Sequence, residues 1–442
     1  MKPLPLAAIA LLSTLAISSA EPAQVVDSST IHHKVLCGYQ GFFGCPGDGS
    51  NLGWSHWSNH GPLKAEPGSV HVECWPDMRE MTPEERYPAP GFTYPDGKQA
   101  ELFSSHNPLT VLRHFQWMRQ YGIDGVFLQR FLLNLPGGIE HKTFQERLDV
   151  LNNVRSAALQ TGRVWAINYD TVAISTDQIF DLLTTDWKKM VDWKVTDDPR
   201  YLHEGGAPVV HIWWNMADLT MTPQVLNQLI DFFKAPGPYH AYIAAGGGHN
   251  WRSKPEVQWL PSNSAVHVAT NPEANDRNKL AKTEWIKAIE RLDALVPWNV
   301  GNSYKDTHGV IHAATDSWAG DREELAKHGV LWIPVVYPAF SWNNNQGLPW
   351  GANTYPARKG DFLWEQFHTL SQMGGVDTIF LAMFDELDEG TAILKVTDTP
   401  PTQAHFLTYE GLPTDWYMRL VGLGEKMLRD KTPVPSQIPI HP

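Results

Sequence analysis

Eight apolar runs of strand length alternate with amphipathic segments of helix length along this chain of 442 residues. The runs are almost continuously apolar, which is typical of strands buried on both faces of a parallel sheet. They occupy residues 34–40, 125–131, 163–169, 208–214, 239–245, 294–300, 330–337 and 378–384. Eight such strands, each followed by a helix, predict an α/β fold with a single (β/α)₈ barrel.

Segments with a helical pattern separate these runs. They cover residues 108–121, 141–160, 175–191, 222–233, 277–291, 321–328 and 361–373, and a last one, TDWYMRLVGLGEKMLRD, lies near the C-terminus. Ser175 and Thr222 suit the N-cap position, and Gly122, Gly162 and Gly329 fall where helices should end. The boundaries of the helices therefore agree with the alternation that a barrel requires.

The connection between the first strand and the first helix is long and rich in Gly, Pro and Trp. It predicts an insertion after the first strand, in which VHVECW (70–75) forms an additional strand or hairpin over the barrel mouth. A doubly wound open sheet is the alternative fold, and it would usually open with a GxGxxG turn that leads into a helix. The segment GYQGFFGCPG contains glycines but does not match that pattern.

The N-terminus has the layout of a cleaved secretory signal. Lys2 precedes a short apolar run, and small residues, Ser18 and Ala20, follow it. We therefore expect a signal peptide at 1–20 and a secreted or periplasmic protein. A membrane anchor is the alternative, but no later segment approaches the roughly 20 apolar residues that a membrane span needs.

The remaining chain divides into three parts in this interpretation. We expect a linker at 21–33, a catalytic barrel at 34–432 and a tail at 433–442. The formal net charge of −13 disfavours nucleic acid as a partner. We expect a monomer.

Three cysteines, Cys37, Cys45 and Cys74, lie near the N-terminus. In an oxidising compartment we expect one disulfide and one remaining thiol, and the spacing does not decide which pair forms. No CxxC pair is present, which disfavours a zinc site built from cysteines.

The active site of a (β/α)₈ barrel lies at the C-terminal ends of its strands, so residues at those ends are candidates for substrate binding. The candidates are Tyr39, Gln129, Arg130, Tyr169, Asp170, Trp214, His249, Trp251, Arg252, Tyr337, Trp342 and Asn343. The chain has 19 Trp residues, and aromatic faces stack well on sugar rings. Two alternatives stay open. The aromatic residues could instead pack in the core, and Arg130 and Arg252 could form ion pairs with Asp170 or Asp316.

The last apolar run ends in FLAMFDELDEGTAI (380–393), which contains Asp385, Glu386, Asp388 and Glu389. Glu386 and Glu389 are three residues apart and would share one side of a helical turn. Two carboxyl groups so close shift each other's pKa values apart, and glycoside cleavage needs one protonated and one ionised carboxyl. A calcium site or a solvated acidic loop is the alternative.

Other hydrolase motifs are missing. The sequence has no HxH or HExxH, which disfavours a zinc hydrolase, and no GxSxG, which disfavours a serine esterase. We therefore expect neither a cofactor nor a catalytic metal.

The run ELDEGTAI resembles the E-x-x-E-G-T motif of glycoside hydrolase family 99, the endo-α-mannosidases and mannanases, and of the related family 71/99-like and WbsX-like proteins. Other segments resemble that group in the same order, from about residue 35 to residue 430. They are VLCGYQGFF, WMRQYGIDGVFLQRF, VWAINYDT and VVHIWW.

The resemblance implies a secreted glycoside hydrolase that acts on a polysaccharide or glycan and retains the anomeric configuration. Glu386 matches the carboxylate that deprotonates the 2-hydroxyl of the sugar, which then forms an epoxide with its own anomeric carbon. Glu389 matches the general acid that protonates the leaving group and later activates water.

The chain also departs from the family pattern. Asp385, Leu387 and Asp388 stand where the family often has Asn, Trp and His, so specificity for mannose does not carry over directly. An α-1,3-glucanase of the family 71 type and a non-catalytic, metal-dependent glycan-binding barrel are the alternative functions.

Overall fold

The computed structural model describes residues 25–442 except for 60, 67, 215–219, 249–250, 253–282 and 352–353. The predicted signal peptide at 1–20 lies outside the described residues. Among the described residues, no helix has both the length and the apolar character needed to cross a membrane.

A parallel sheet of eight strands forms the centre of the molecule, as the sequence predicts. The strands are β1 (Lys34–Tyr39), β2 (Gly125–Phe131), β3 (Val164–Asp170), β4 (Ala207–Trp213), β5 (Tyr242–Gly246), β6 (Ala294–Leu295), β7 in two pieces (Leu331–Trp332 and Val335–Val336) and β8 (Thr378–Leu381). They follow one another around the sheet, and β1 pairs with both β2 and β8.

The strand β7 closes the barrel. Its first piece pairs with β6 and its second piece pairs with β8. The segment 331–336 therefore joins the two edges of the sheet. Ile333 and Pro334 separate the pieces, and a proline has no N–H to donate to a strand ladder. The observed fold therefore confirms the predicted (β/α)₈ barrel.

Helices follow the strands and cover the outside of the barrel. They are α1 (Pro108–Tyr121), α2 (Phe144–Thr161), α3 (Thr176–Asp192), α4 (Pro223–Lys234), α5 (residues 283–289), α6 (Trp318–Lys327), α7 (Asp361–Met373) and α8 (Trp416–Arg429). The Thr222 hydroxyl accepts from the backbone N–H of Val225 at 3.2 Å at the start of α4. Gly122 and Gly162 end α1 and α2 with φ values of 82° and 70°, a conformation that favours glycine.

Side chains on the barrel strands alternate between the barrel axis and the helix layer. Phe127 of β2 and His211 of β4 both contact Phe380 of β8, with ring centroids 5.7 Å apart in each case. Asn168 of β3 joins this inward set, because its Oδ1 lies 2.7 Å from Nδ1 of His211. These residues define which positions on each strand face the axis.

The insertion after β1 covers residues 40–107 and lies against the C-terminal end of the barrel. It contains a hairpin of Tyr87–Thr93 and Gln99–Leu102. The segment 70–75 contributes single bridges rather than a strand, and the backbone N–H groups of Glu73 and Cys74 donate to the carbonyl of Leu387 at 2.8 and 3.3 Å. The predicted position of this segment at the barrel mouth is thus confirmed.

Both ends of the described chain pack on the barrel. Residues 25–33 cross the N-terminal end of the strands, where the N–H of Val26 donates to the carbonyl of Gly162 at 2.9 Å. In the tail, the carbonyl of Pro435 accepts from the indole N–H of Trp364 on α7 at 2.9 Å. The predicted linker and tail are therefore parts of the packed structure.

All three cysteines are free and buried, which corrects the expectation of one disulfide. Cys37 lies within β1, the Cys45 thiol donates to the carbonyl of Phe103 at 3.1 Å, and Cys74 lies in the insertion. The three thiols lie in different parts of the structure, and burial raises the pKa of each one.

We predict that a thiol reagent reacts with three groups per chain in denaturant and with almost none in the native protein. Burial excludes the reagent and keeps the thiols protonated. Spectrophotometric thiol titration measures both numbers. A single reactive thiol in denaturant without reductant would instead indicate a disulfide.

Candidate active site

The motif DELDEGT forms a tight turn directly after β8. Residues 387–390 are in turn conformation, and Gly390 has a φ of 63°. An added Cβ at Gly390 would lie 3.1 Å from the Leu407 side chain, so the turn suits glycine for two reasons. The backbone N–H of Met383 donates to the carbonyl of Thr391 at 3.1 Å and closes the loop.

Asp385 fastens the beginning of this turn to the end of β1. Its two carboxylate oxygens accept from the backbone N–H groups of Gln40 and Gly41 at 2.7 and 2.9 Å. Burial raises the pKa of Asp385 to about 7, although these two hydrogen bonds act in the opposite direction. Asp385 is therefore a structural residue that positions the neighbouring glutamates.

Glu386 lies inside the site, with 7% of its surface exposed. Oε1 accepts from the side-chain amide of Gln40, and Oε2 accepts from the hydroxyl of Thr391 at 2.7 Å. Burial and the charges of Glu389 and Asp388 raise the pKa of Glu386 well above its usual value, although the donors Thr391 and Gln40 act in the opposite direction. Both carboxylate oxygens are thus held in place.

Glu389 is the more exposed member of the pair. Burial and the charge of Asp388 raise the pKa of Glu389 to about 8, and the Trp342 side chain acts in the opposite direction. Asp170, at the end of β3, also raises this pKa through its charge. Glu389 therefore holds a proton at neutral pH.

Asp388 contacts two histidines of the insertion. Its Oδ2 lies 3.5 Å from Nδ1 of His56 and 3.4 Å from Nε2 of His71. Burial would raise the pKa of Asp388, but the two imidazoles outweigh it and lower this pKa to about 2. Asp388 is consequently ionised at neutral pH.

A third glutamate, Glu73, holds the loop that carries Trp342. Its Oε2 accepts from the Ser341 hydroxyl at 2.6 Å, and its Oε1 accepts from the backbone N–H of Asn345 at 3.1 Å. Glu73 is fully buried, and burial raises its pKa. Because the backbone N–H of Ser341 also donates to the carbonyl of Glu389 at 2.8 Å, Glu73 supports both Trp342 and Glu389.

Five of the predicted substrate-binding residues point away from the barrel axis. They are Tyr39, Arg130, Tyr169, Trp214 and Tyr337, each with 3% or less of its surface exposed. Arg130 forms a two-pronged ion pair with Asp186 on α3, and the hydroxyl of Tyr169 donates to the same carboxylate at 2.8 Å. The structure thus corrects the expected ion-pair partner of Arg130 from Asp170 or Asp316 to Asp186.

The other three have partners in the same outer layer. The Tyr39 hydroxyl lies 2.9 Å from Nδ1 of His114 on α1, Trp214 stacks on Trp285 of α5, and Tyr337 packs edge-on against Phe362 of α7. The structure assigns all five to the packing between strands and helices rather than to the barrel mouth.

The inward set includes two predicted residues and two that the prediction omitted. Gln129 accepts from the side-chain amide of Asn168, and Asp170 influences Glu389. The omitted residues are Gln40, which contacts Glu386, and Trp213, which is partly exposed and lies edge-on to Trp298 at 5.6 Å. Period-two alternation along β4, counted from His211, would have selected Trp213 instead of Trp214.

The remaining predicted residues lie on loops. Trp251 is buried, and Arg252 lies over its ring and donates to Asp321 at 2.6 Å, which corrects the expected partner Asp316. Trp342 is partly exposed beside Glu389, and Asn343 is buried and donates to Ser341 at 2.7 Å. His249 lies outside the described residues.

His56, His71 and Glu73 were not among the predicted site residues. All three belong to the insertion and approach the turn after β8 only through the tertiary structure. The predicted position of the VHVECW segment over the barrel mouth could have indicated two of these residues, because the segment contains His71 and Glu73. A cavity of about 580 Å³ lined by Asp77, Arg79 and Tyr94 adjoins the hairpin elsewhere and contains neither Glu386 nor Glu389.

Comparison with known proteins identifies the fold. No protein-family model and no curated protein matches the sequence. The structure is similar to two solved structures of the GH99 endo-α-mannosidase from Bacteroides thetaiotaomicron. One, a complex with BIS-TRIS-propane, gives a TM-score of 0.59 at 14% identity and covers 91% of this chain and 98% of that chain. The other gives 0.60 at 13% identity, with 91% and 99% covered.

This similarity shows that the chain has the barrel fold of a family 99 glycoside hydrolase. It extends over 91% of this chain and at least 98% of each neighbour.

We predict that Glu73→Ala lowers the free energy of unfolding by about 2–3 kcal/mol, because the Ser341 hydroxyl and the Asn345 amide lose a buried acceptor. Urea denaturation measures this change. Glu66→Ala, at an exposed position of the same insertion, should change stability by less than about 0.5 kcal/mol. Equal effects of the two substitutions would contradict the supporting role of Glu73.

Proposed function

We propose that this protein is a glycoside hydrolase that cleaves a polysaccharide or glycan with retention of configuration. One observation carries the proposal: Glu386 and Glu389 lie on a single turn at the mouth of a (β/α)₈ barrel and interact electrostatically. Most glycosidases use a pair of carboxyl groups. In (β/α)₈ barrel enzymes the active site lies at this end of the barrel. The fold shared with the GH99 endo-α-mannosidase supports the same conclusion.

The contacts of each glutamate suggest different roles. Both oxygens of Glu386 accept hydrogen bonds, and an ionised carboxylate is a pure acceptor, so Gln40 and Thr391 favour its charged form against the burial that raises its pKa. Glu386 is the base of the proposal and takes the proton of the sugar 2-hydroxyl, whose oxygen then attacks the anomeric carbon. Glu389 is more exposed and protonates the leaving oxygen, after which it activates the water that opens the epoxide.

The substrate is proposed at the level of class. Trp342, beside Glu389, and Trp213, at the end of β4, are partly exposed aromatic residues, and their faces suit the apolar side of a sugar ring. α-Mannan is the first candidate because of the neighbour's activity, and α-1,3-glucan is the second. We also propose that the enzyme is exported, on the basis of its N-terminal segment.

We predict that purified protein releases reducing ends from at least one member of a glycan panel. Glu386→Gln and Glu389→Gln should each lower the rate by about 10²–10⁴-fold, since an amide can neither accept nor donate the required proton. NMR of the products should show that the first-formed anomer retains the configuration of the substrate.

Glu323→Gln is the matched control, because Glu323 is exposed on α6 and the substitution removes the same charge. Its rate should equal that of the unmodified protein. Glycan binding without cleavage in the unmodified protein would favour the non-catalytic alternative, and full activity in Glu389→Gln would exclude the proposed acid.

A further inference from the structure

Three side chains with metal-binding atoms meet at the edge of the glutamate pair. They are His56 and His71 from the insertion and Asp388 from the turn after β8, and their ligand atoms all lie within 4.8 Å of one another. Two imidazoles and one carboxylate are a common donor set for zinc and other divalent transition metals. Calcium and magnesium prefer oxygen ligands, so this set does not suit them.

The distances from Asp388 to the two imidazoles match the spacing of two ligands on one metal ion. A charge-assisted hydrogen bond between nitrogen and carboxylate oxygen measures about 2.7–2.9 Å. Oδ2 of Asp388 lies 3.4 Å from His71 and 3.5 Å from His56, which is longer. Two ligands of one tetrahedral zinc ion, each about 2.0–2.1 Å from the metal, are about 3.3–3.4 Å apart.

The hydrogen bonds of His71 direct a lone pair towards Asp388. The side-chain amide nitrogen of Asn59 donates to the carbonyls of Gly68, Val70 and Asn344 at 3.0, 3.0 and 3.1 Å, which fixes its Oδ1 towards His71. Nδ1 of His71 must then donate to this oxygen. An imidazole that donates through one nitrogen and binds metal through the other is the usual arrangement in metal sites.

The second nitrogen of His71 is compatible with this tautomer. Nε2 accepts from the side-chain amide of Asn345 at 3.2 Å, so it carries a lone pair in this arrangement. A cation between this nitrogen and the Asp388 carboxylate, either a proton on the imidazole or a metal ion, would interact favourably with both groups. A bound metal would take the place of the Asn345 amide.

Asp388 and His56 are also arranged in a way that suits metal binding. Oδ1 of Asp388 is buried and has no hydrogen-bond partner among the described residues, although Asp388 is 5% exposed overall. The His56 ring is held by stacking on Phe42, with centroids 3.6 Å apart. Both imidazoles are partly exposed, so an ion can reach them from solvent.

We propose that His56, His71 and Asp388 bind one divalent transition-metal ion, with zinc the best match to the donor set. The ion would connect the insertion to the turn that carries Glu386 and Glu389. This proposal stands on the three side chains alone and does not depend on glycan cleavage.

The test is zinc titration of EDTA-treated full-length protein by calorimetry, in the absence of any glycan. We expect one zinc ion per chain and a rise in melting temperature, because the ion binds the folded state. His71→Ala, His56→Ala and Asp388→Asn should each weaken binding by about 100-fold or more, since each removes a ligand. Circular dichroism establishes that each variant is folded.

His328→Ala is the control. His328 forms a second cluster with Glu290 and Glu324 and should leave zinc affinity at the proposed site unchanged. Cobalt added to the unmodified protein should give the intense visible absorption of a tetrahedral site, which needs no variant. Absence of saturable zinc binding, a weak octahedral cobalt spectrum, or loss of zinc only in His328→Ala would each overturn the proposal.

Discussion

The candidate site depends on one interaction, the bridge from the Asp385 carboxylate to the backbone N–H groups of Gln40 and Gly41. It joins the C-terminal ends of β8 and β1, which are neighbours in the barrel. Once Gln40 is held there, its side chain can reach Glu386, and the turn can direct Asp388 towards the insertion. The positions of the proposed catalytic groups thus follow from a buried carboxylate that itself takes no part in the proposed chemistry.

Three buried carboxyl groups and a fourth that is partly exposed, on five consecutive residues, are costly unless each one has a partner or a proton. Each of the four carboxyl groups is stabilised in a different way. Asp385 has backbone donors, Glu386 has Gln40 and Thr391, Asp388 has two imidazoles, and Glu389 keeps its proton with a pKa of about 8. Neighbouring groups of one chemical type therefore acquire different properties from their surroundings.

The barrel could be predicted because continuous apolar runs and helix-ending glycines such as Gly122 and Gly162 are local signals. The carboxylate turn could be predicted for the same reason. The choice of residues around it was less accurate, since position at a strand end does not tell which way a side chain points. Arg130 and Trp214 pack against helices, whereas their neighbours Gln129 and Trp213 face the axis. His56 and His71 meet Asp388 across more than 300 residues of sequence, and no local pattern encodes that contact.

The insertion after β1 and the barrel strands are separate segments of the chain that meet at the glutamate pair. The barrel supplies Glu386 and Glu389 from a single turn, and residues 56–73 supply His56, His71 and Glu73 from one continuous stretch. Mutations within that stretch can remodel the surroundings of the glutamates while every strand of the barrel stays as it is. Divergence among relatives of this protein should accordingly concentrate in the insertion and spare the barrel.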